Sequence, residues 1–119
     1  MDERKPIRIF LVEGDADDCD FFKEAFIQSS LPVILTSLCM GEDLLKELSL
    51  MKETIPDIVF LDINMPKKTG HEILTEIRCI ERFKNVPVIM LSTSIYKGDV
   101  DFSYKHGTNL YIPKELFFL

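Results

Sequence analysis

The chain has 119 residues, of which 46% are hydrophobic and 29% are charged, a balance typical of one globular domain covering residues 1–119. Twenty acidic and fourteen basic residues give a formal net charge of −6, which disfavours nucleic-acid binding, and no apolar run is long enough to span a bilayer. We therefore expect a cytoplasmic protein that binds neither nucleic acid nor a membrane.

The three cysteines, Cys19, Cys39 and Cys79, are odd in number and far apart in the sequence, and they lack the Cys-x-x-Cys spacing of many zinc sites. This pattern predicts neither a disulfide framework nor a zinc site. We expect three buried, unreactive thiols.

Short apolar runs rich in β-branched residues predict five buried strands, at 7–12, 33–38, 58–61, 86–91 and 110–112. Amphipathic stretches between them predict helices. Their apolar faces carry Phe21, Phe22, Ala25 and Phe26 in the first, Leu44, Leu45, Leu48 and Met51 in the second, and Ile73, Leu74, Ile77 and Ile80 in the third. The third helix is expected to begin at Thr69 and Gly70 and to end before Asn85.

The fourth stretch, 96–106, alternates Val100, Phe102 and Tyr104 with polar residues, as a strand would, but we interpret it as a helix. Strands that alternate with helices in a short chain form right-handed βαβ units, with helices on both faces of a parallel sheet. The sequence therefore predicts a doubly wound α/β domain with about five parallel strands.

Polar residues follow four of the predicted strands. They are Glu13, Gly14 and Asp15 after the first strand, Asp62 and Asn64 after the third, Ser92 and Thr93 after the fourth, and Lys114 after the fifth. Ligands bind outside the carboxyl ends of the strands in an open parallel sheet. We therefore expect carboxylates, a hydroxyl and an ammonium to converge at this edge.

These residues also have purely structural interpretations. Asp15, Asp17 or Asp18 would cap the first helix, and Lys114 would be a solvated surface charge. Asp62 is harder to explain in this way, because a carboxylate at the end of a central strand costs free energy unless a cation or hydrogen-bond donors satisfy it.

The cluster suits phosphoryl transfer. Carboxylates with a nearby backbone carbonyl are ligands that Mg²⁺ prefers, and the cation would let a phosphoryl group approach Asp62 despite their like charges. The Asp62 carboxylate would then attack the phosphorus. Lys114 and Ser92 would neutralise and position the phosphoryl oxygens.

Four segments, IFLVEGDADD (9–18), FLDINMPKKTG (60–70), PVIMLST (87–93) and YIPK (111–114), carry these residues in order. With them the chain resembles the receiver domain of two-component response regulators, of the single-domain type, over nearly its whole length. The resemblance implies roles for six residues: Asp62 as phosphoacceptor, Asp15 as Mg²⁺ carboxylate, Asn64 as the donor of a backbone carbonyl to the metal, Ser92 as switch hydroxyl, Tyr111 as switch aromatic and Lys114 as phosphate-pairing lysine.

The resemblance also implies a flavodoxin-like strand order of 2-1-3-4-5. The phosphoryl donor would be a sensor histidine kinase or a phosphotransfer protein, and the output would be contact with an unknown downstream protein. The chain would be a signalling domain with slow self-hydrolysis rather than an enzyme.

The chain departs from the family pattern at three places, of which two lie within the motifs and the third is the short last helix. Gly14 stands where the family usually has the first acidic residue of its pair, which leaves Asp15, with Glu13 as a further candidate, to hold Mg²⁺. The family's lysine is commonly followed by proline, whereas Glu115 follows Lys114 here.

Only five residues follow Lys114, so the last helix is expected to be truncated, and we expect self-association through 115–119.

Three other classes of function share parts of the pattern. A degenerate receiver that binds proteins without phosphorylation is favoured by Gly14. A phosphohydrolase that forms an aspartyl phosphate would place its nucleophile after the first strand, with a second Asp where this chain has Asn64. A flavin-binding electron carrier of similar fold would need a phosphate loop after the first strand, where the acidic residues of 13–18 would repel phosphate.

Overall fold

The computed structural model describes residues 5–52, 54–65, 67–93 and 96–117, in which strands and helices alternate. The strands are β1 (Ile7–Val12), β2 (Val33–Leu38), β3 (Ile58–Asp62), β4 (Val88–Ser92) and β5 (Leu110–Pro113). The helices are α1 (Ala16–Gln28), α2 (Gly41–Leu50), α3 (Gly70–Cys79), α4 (Lys97–Lys105) and α5 (Lys114–Phe117), and a short 3-10 helix, Glu81–Phe83, follows α3.

The five strands form one parallel sheet in the order β2-β1-β3-β4-β5, which confirms the predicted order. The register pairs Val12 with Leu61, Asp62 with Leu91, and the last residues of β4 and β5 with each other. The carboxyl ends of β1, β3, β4 and β5 therefore meet at one edge. The strand order reverses between β1 and β3, and ligands of such sheets bind at this point.

The sheet separates two apolar layers because side chains alternate along each strand. Ile9 and Leu11 face α1, whereas Phe10 and Val12 face α2 and α3. The layer beside α1 contains Ile9, Leu11, Cys19, Phe22, Phe60 and Leu91, and the layer beside α2 and α3 includes Leu44, Leu48, Ile73, Leu74, Ile77 and Met90. The same alternation directs Glu13, two residues after Leu11, toward α1.

Helix α1 packs on the sheet through Phe22, which is fully buried, and through Phe26, whose ring centroid is 5.6 Å from that of Phe60. Phe21 was predicted on the same face but is 46% exposed. Successive helical residues are rotated by about 100°, so Phe21 lies on the flank of the helix rather than against the sheet. Two other predicted core residues, Met51 and Ile80, are the C-caps of α2 and α3.

The helix predicted at 96–106 is confirmed as α4, which runs over Lys97–Lys105. Val100 is half-buried and packs against the core, whereas the side chains of Phe102 and Tyr104 are exposed. The strand-like alternation in this stretch arises from apolar residues that only partly enter the core. The Tyr104 hydroxyl accepts the backbone N–H of Tyr111 at 3.0 Å and so connects α4 to β5.

Arg78, near the end of α3, connects the two segments that precede β4 and β5 at the amino-terminal edge of the sheet. Its guanidinium donates to the carbonyls of Gly107 (2.8 and 3.0 Å), Phe83 (3.2 Å) and Val86 (2.7 Å), and to the side-chain oxygen of Asn109 (2.9 Å). Burial lowers the pKa of Arg78 from its ordinary value. Backbone carbonyls that would otherwise lack partners at this edge are thereby satisfied.

The prediction of three buried thiols is correct for Cys19 and wrong for Cys39 and Cys79. The Cys19 sulfur lies 2.8 Å from the Ser37 hydroxyl oxygen, between α1 and β2. Cys39 follows the edge strand β2, and Cys79 is the last residue of α3, so neither lies beneath another element. All three cysteines are free.

Helix α5 has four residues, and residues 118 and 119, on which the predicted self-association partly depends, lie outside the described residues. In the described part of the chain, no helix is both long and apolar enough to cross a bilayer.

Candidate functional site at the carboxyl edge of the sheet

The centre of the candidate site is the ammonium group of Lys114, which contacts three carboxylates. Its Nζ atom lies 2.9 and 3.0 Å from the two oxygens of Glu13, 3.0 Å from Asp18 Oδ2 and 3.3 Å from Asp62 Oδ2. Lys114 is only 5% exposed, so its interpretation as a solvated surface charge is wrong. Three carboxylates satisfy the three N–H donors of one ammonium.

Strand alternation explains why these groups meet. Glu13 follows β1 on the side of the sheet that faces α1, and Asp62 lies two residues after Phe60, which packs in the same layer. Lys114 lies two residues after Ile112, which also packs there. Asp18 reaches the group from the first turns of α1, which covers this layer.

Glu13 is buried to 1% exposure, and burial, followed by the nearby Asp62 carboxylate, raises the pKa of Glu13 to about 7. Burial by itself would lower the pKa of Lys114, but its hydrogen bonds with Glu13 and Asp18 raise that pKa above its ordinary value. Glu13 Oε2 accepts no hydrogen bond of normal geometry from the described residues, although it lies 2.9 Å from the ammonium.

Asp15 is the N-cap of α1, as one structural interpretation predicted. Its Oδ1 accepts the backbone N–H of Asp18 at 3.0 Å, and its own N–H donates to Glu13 Oε1 at 3.2 Å. Asp15 also lines the cleft above Asp62, so it is placed to act both as a cap and as a ligand. The first residue after β1 is Glu13, and Gly14 therefore fills the second position of this turn, not the first.

The loop after β3 holds Asp62 in place. Asp62 Oδ1 accepts the backbone N–H of Asn64 at 2.9 Å, and the Asn64 side-chain amide donates to the Thr93 hydroxyl at 3.3 Å. Gly70 begins α3 against this loop: a Cβ at Gly70 would lie 2.5 Å from the Asp62 backbone oxygen and 2.7 Å from Ile63 Cα. Only glycine allows α3 to start this close to the loop.

The two predicted switch residues face the other layer of the sheet. Tyr111 packs in the layer beside α2 and α3, and Ser92, two residues after Met90 of that layer, is buried at the end of β4. Thr93 lines the cleft next to Asn64.

The cleft above Asp62 has a volume of about 500 Å³ and is lined by Gly14, Asp15, Asp18, Asp62, Asn64, Thr93 and Lys114. Its seven lining residues include four that the sequence singled out as acceptor, ligands or lysine: Asp15, Asp62, Asn64 and Lys114. Asp18 was considered only as a helix cap, whereas Thr93 was expected at this edge among the polar residues that follow the strands. The missed signal for Asp18 is its place in the first turn of a helix that begins at this edge.

The donor set of the cleft fits a hard divalent cation. Carboxylate oxygens of Asp15 and Asp62, with the backbone carbonyl at Asn64, are the ligand types that Mg²⁺ prefers. The buried Glu13 Oε2, which lacks a hydrogen bond of normal geometry, adds a further unsatisfied acceptor beside them. Within the described ranges, no three His, Cys, Asp or Glu side chains are already arranged around a metal position.

Comparison with known proteins identifies the family. A family model described as "Response regulator receiver domain" matches residues 9–117. The chain belongs to the response regulator receiver family. Receiver domains act in two-component signalling and are generally not classed as enzymes.

Several receivers are similar to this chain over most of its length. Response regulator Rcp1 from Synechocystis is 32% identical over 118 residues, which cover 95% of this chain and 80% of Rcp1. The Mn²⁺-bound structure of Rcp1 superposes with a TM-score of 0.84, at 34% identity, over 92% of this chain and 81% of that chain.

Two further similar receiver structures are of a phosphorylated protein and of a magnesium-bound domain. The phosphorylated cyanobacterial phytochrome response regulator RcpA has a TM-score of 0.85 and 36% identity, over 92% of this chain and 81% of its own. The receiver domain of sensor histidine kinase PA1611 from Pseudomonas aeruginosa, with magnesium coordinated in its cleft, has a TM-score of 0.76 and 25% identity, over 92% of this chain and 86% of its own.

Proposed function

We propose that this receiver, as one domain over 1–119, accepts a phosphoryl group on Asp62 from a phosphohistidine of a sensor histidine kinase or phosphotransfer protein. The observation that carries the proposal is the position of Asp62. Its carboxylate is 2% exposed at the end of β3, is held by the Asn64 N–H and lies 3.3 Å from the Lys114 ammonium. A buried carboxylate with this donor arrangement is oriented toward the open cleft.

In this mechanism a carboxylate oxygen of Asp62 attacks the phosphorus and forms the P–O bond of an acyl phosphate. The bond between phosphorus and the donor imidazole nitrogen breaks, and its electron pair leaves with the imidazole. Lys114 then turns a donor from the Asp62 carboxylate to a phosphoryl oxygen, where it offsets the negative charge. The backbone N–H of Asn64 keeps Asp62 in its orientation through the transfer.

A divalent cation in the cleft would neutralise the repulsion between the two anions. We assign its binding to the carboxylates of Asp15 and Asp62 and the backbone carbonyl of Asn64, with Glu13 as a further candidate. The hard oxygen donors of this cleft and the metal-bound state of similar receivers support Mg²⁺ as that cation.

Ser92 and Tyr111 would carry the signal away from the site. Phosphorylation of Asp62 would draw the Ser92 hydroxyl toward a phosphoryl oxygen, and the freed space would allow Tyr111 to move. Both residues face the same layer of the sheet, which supports their coupling. The remodelled surface around α4 and β5 would then bind a downstream protein.

A second candidate, a degenerate receiver that binds partners without phosphorylation, is favoured by one feature, the absence of a side chain at Gly14. The group of Asp62, Lys114 and Glu13 argues against it, because burial of three ionisable side chains costs free energy that protein binding at the surface does not explain.

The proposal is tested by incubating the protein with acetyl phosphate and Mg²⁺ and measuring its mass. We expect the gain of one phosphoryl group, lost in Asp62→Asn and after chelation with EDTA. Asp101→Asn is the matched control, because Asp101 is an exposed aspartate on α4, and it should be labelled like the wild type. Unchanged labelling in Asp62→Asn would assign the acceptor elsewhere, and no labelling of the wild type would favour the degenerate receiver.

A further inference from the structure

The side chain of Asp18 is turned away from the helix cap that its position predicts. Asp18 is the third residue after the N-cap Asp15, where an acidic side chain commonly accepts the N-cap backbone N–H in a capping box. Here the Asp15 N–H donates to Glu13 Oε1 instead, and Asp18 Oδ2 accepts from Lys114 at 3.0 Å. The carboxylate of Asp18 is therefore directed into the cleft.

The turn after β1 lines the cleft at one position that has no side chain. Gly14 follows Glu13 in the turn after β1 and lines the cleft between Asp15 and Lys114 without contributing any side-chain donor. Asp18 lines the same cleft from α1. The helix thus supplies a carboxylate to a cleft in which position 14 of the turn supplies none.

Of the three carboxylates that contact Lys114, that of Asp18 is the most accessible to solvent. Its side chain is 27% exposed, compared with 0% for Glu13 and 3% for Asp62. Glu13 is enclosed by Lys114 and the Asp15 N–H, whereas Asp18 borders the open cleft. A side chain in this position can exchange an ammonium for a hydrated cation without leaving a buried acceptor unpaired.

From this arrangement we propose that Asp18 supplies, from α1, the cation-binding carboxylate that Gly14 does not provide. The proposal rests on the proposed function, since it concerns the same divalent-cation site. Asp18 would bind the cation directly or through one of the waters that Mg²⁺ keeps, and Lys114 would retain Glu13 as its anchor. The acidic pair of the site would then be divided between a strand end and a helix.

The test measures binding of Mn²⁺ alone by isothermal titration calorimetry, with paramagnetic broadening of amide resonances as a second readout. Asp18→Asn should raise Kd by about fivefold or more, because one charged oxygen ligand is lost. Asp17→Asn is the matched control, an exposed aspartate of the same helical turn, and should change Kd by less than about twofold.

The decisive variant combines Asp18→Asn with Gly14→Asp. Gly14 does not have a positive φ, so its backbone accepts an aspartate, and the double variant should return Kd to within about twofold of the wild type. Failure of this rescue would overturn the proposal, because Asp18 would then act only by positioning Lys114. Asp18→Glu, which keeps the carboxylate, should retain affinity and serves if Asp18→Asn does not fold.

The failure of this inference is distinguishable from failure of the proposed function. A wild-type protein that binds no Mn²⁺ contradicts the metal site as a whole. A wild type that binds Mn²⁺ while Asp18→Asn and Asp17→Asn behave alike contradicts only the role of Asp18.

Discussion

Lys114 shows how far single residues could be predicted. Its place after the last apolar run predicted an ammonium at the edge of the sheet, and the structure has it there. Its three carboxylate contacts were not predictable as a set, because the contact with Asp18 depends on which face of α1 turns toward the cleft. Sequence order gives the strand ends, whereas the orientation of a helix on the sheet is settled by packing of residues such as Phe22.

Glu13 should make the stability of the protein depend on pH. Its pKa rises from 4.5 to about 7 on folding, so the folded state binds more protons than the unfolded state in this interval. Stability from this residue is therefore present at low pH and is lost as the pH rises from 4.5 through 7. The loss should be on the order of 3 kcal/mol, from the size of the shift.

The measurement is urea unfolding with EDTA at several pH values between 4.5 and 8, for the wild type and Glu13→Gln. The other carboxylates contribute alike in both proteins, so the difference between the two curves isolates Glu13. We expect the advantage of the wild type over the variant to shrink as the pH rises. Parallel curves would mean that Glu13 is ionised in the folded protein throughout.

At the scale of elements, helix boundaries were predictable where local signals mark them. Thr69 caps α3 through the N–H of Glu72, as its place before Gly70 predicted. The need for glycine at position 70 was not predictable, because the backbone of the Asp62 loop approaches it only in the folded sheet. The alternation of apolar and polar residues in α4 resembles that of a strand because this helix is only partly buried.

Gly70→Ala tests the contact between α3 and the Asp62 loop. The new Cβ would lie 2.5 Å from a backbone oxygen, and no movement of a side chain relieves this contact. The free energy of unfolding of the variant should therefore be lower by about 2 kcal/mol. It should also be phosphorylated more slowly, because α3 must shift the loop that orients Asp62. Urea unfolding and acetyl phosphate labelling measure the two effects.

Gly98→Ala is the control for this substitution. The three atoms nearest its Cβ would all belong to the ring of Tyr96, an exposed side chain that can move aside. Alanine is also the better helix former, so this variant should be as stable as the wild type or slightly more so. Equal losses in the two variants would attribute the effect to glycine replacement in general rather than to the Asp62 loop.

For the whole molecule, signalling requires communication across the sheet. Asp62 faces the layer beside α1, whereas Ser92 and Tyr111 face the opposite layer. A beryllofluoride phosphate mimic should therefore shift amide resonances throughout residues 92–111, measured by NMR. Resonances there that stay in place while those around Asp62 move would describe a phosphoacceptor without a switch.

Tyr111→Phe separates the two halves of that switch. The ring and its packing remain, so phosphorylation of Asp62 should be unchanged, whereas affinity for a downstream protein that recognises the hydroxyl should fall. Comparison of acetyl phosphate labelling with partner binding makes the distinction. A parallel loss of both would indicate that Tyr111 supports the site itself.

Self-association through 115–119 stays a prediction. Light scattering over a range of protein concentrations measures it, and a monomer at every concentration would contradict it.

The guanidinium of Arg78 holds the opposite edge of the sheet together through neutral oxygens, whereas Lys114 contacts carboxylates. Each acceptor that hydrogen-bonds Arg78 in the described part of the chain is a carbonyl or amide oxygen, and such oxygens carry no dissociable proton. A change of pH alters the charge of Glu13 beside Lys114 but leaves the acceptors of Arg78 unaltered. As the pH rises through about 7 and Glu13 ionises, the carboxyl edge should therefore lose stability, whereas the loops before β4 and β5 should stay attached to α3 at every pH in this range.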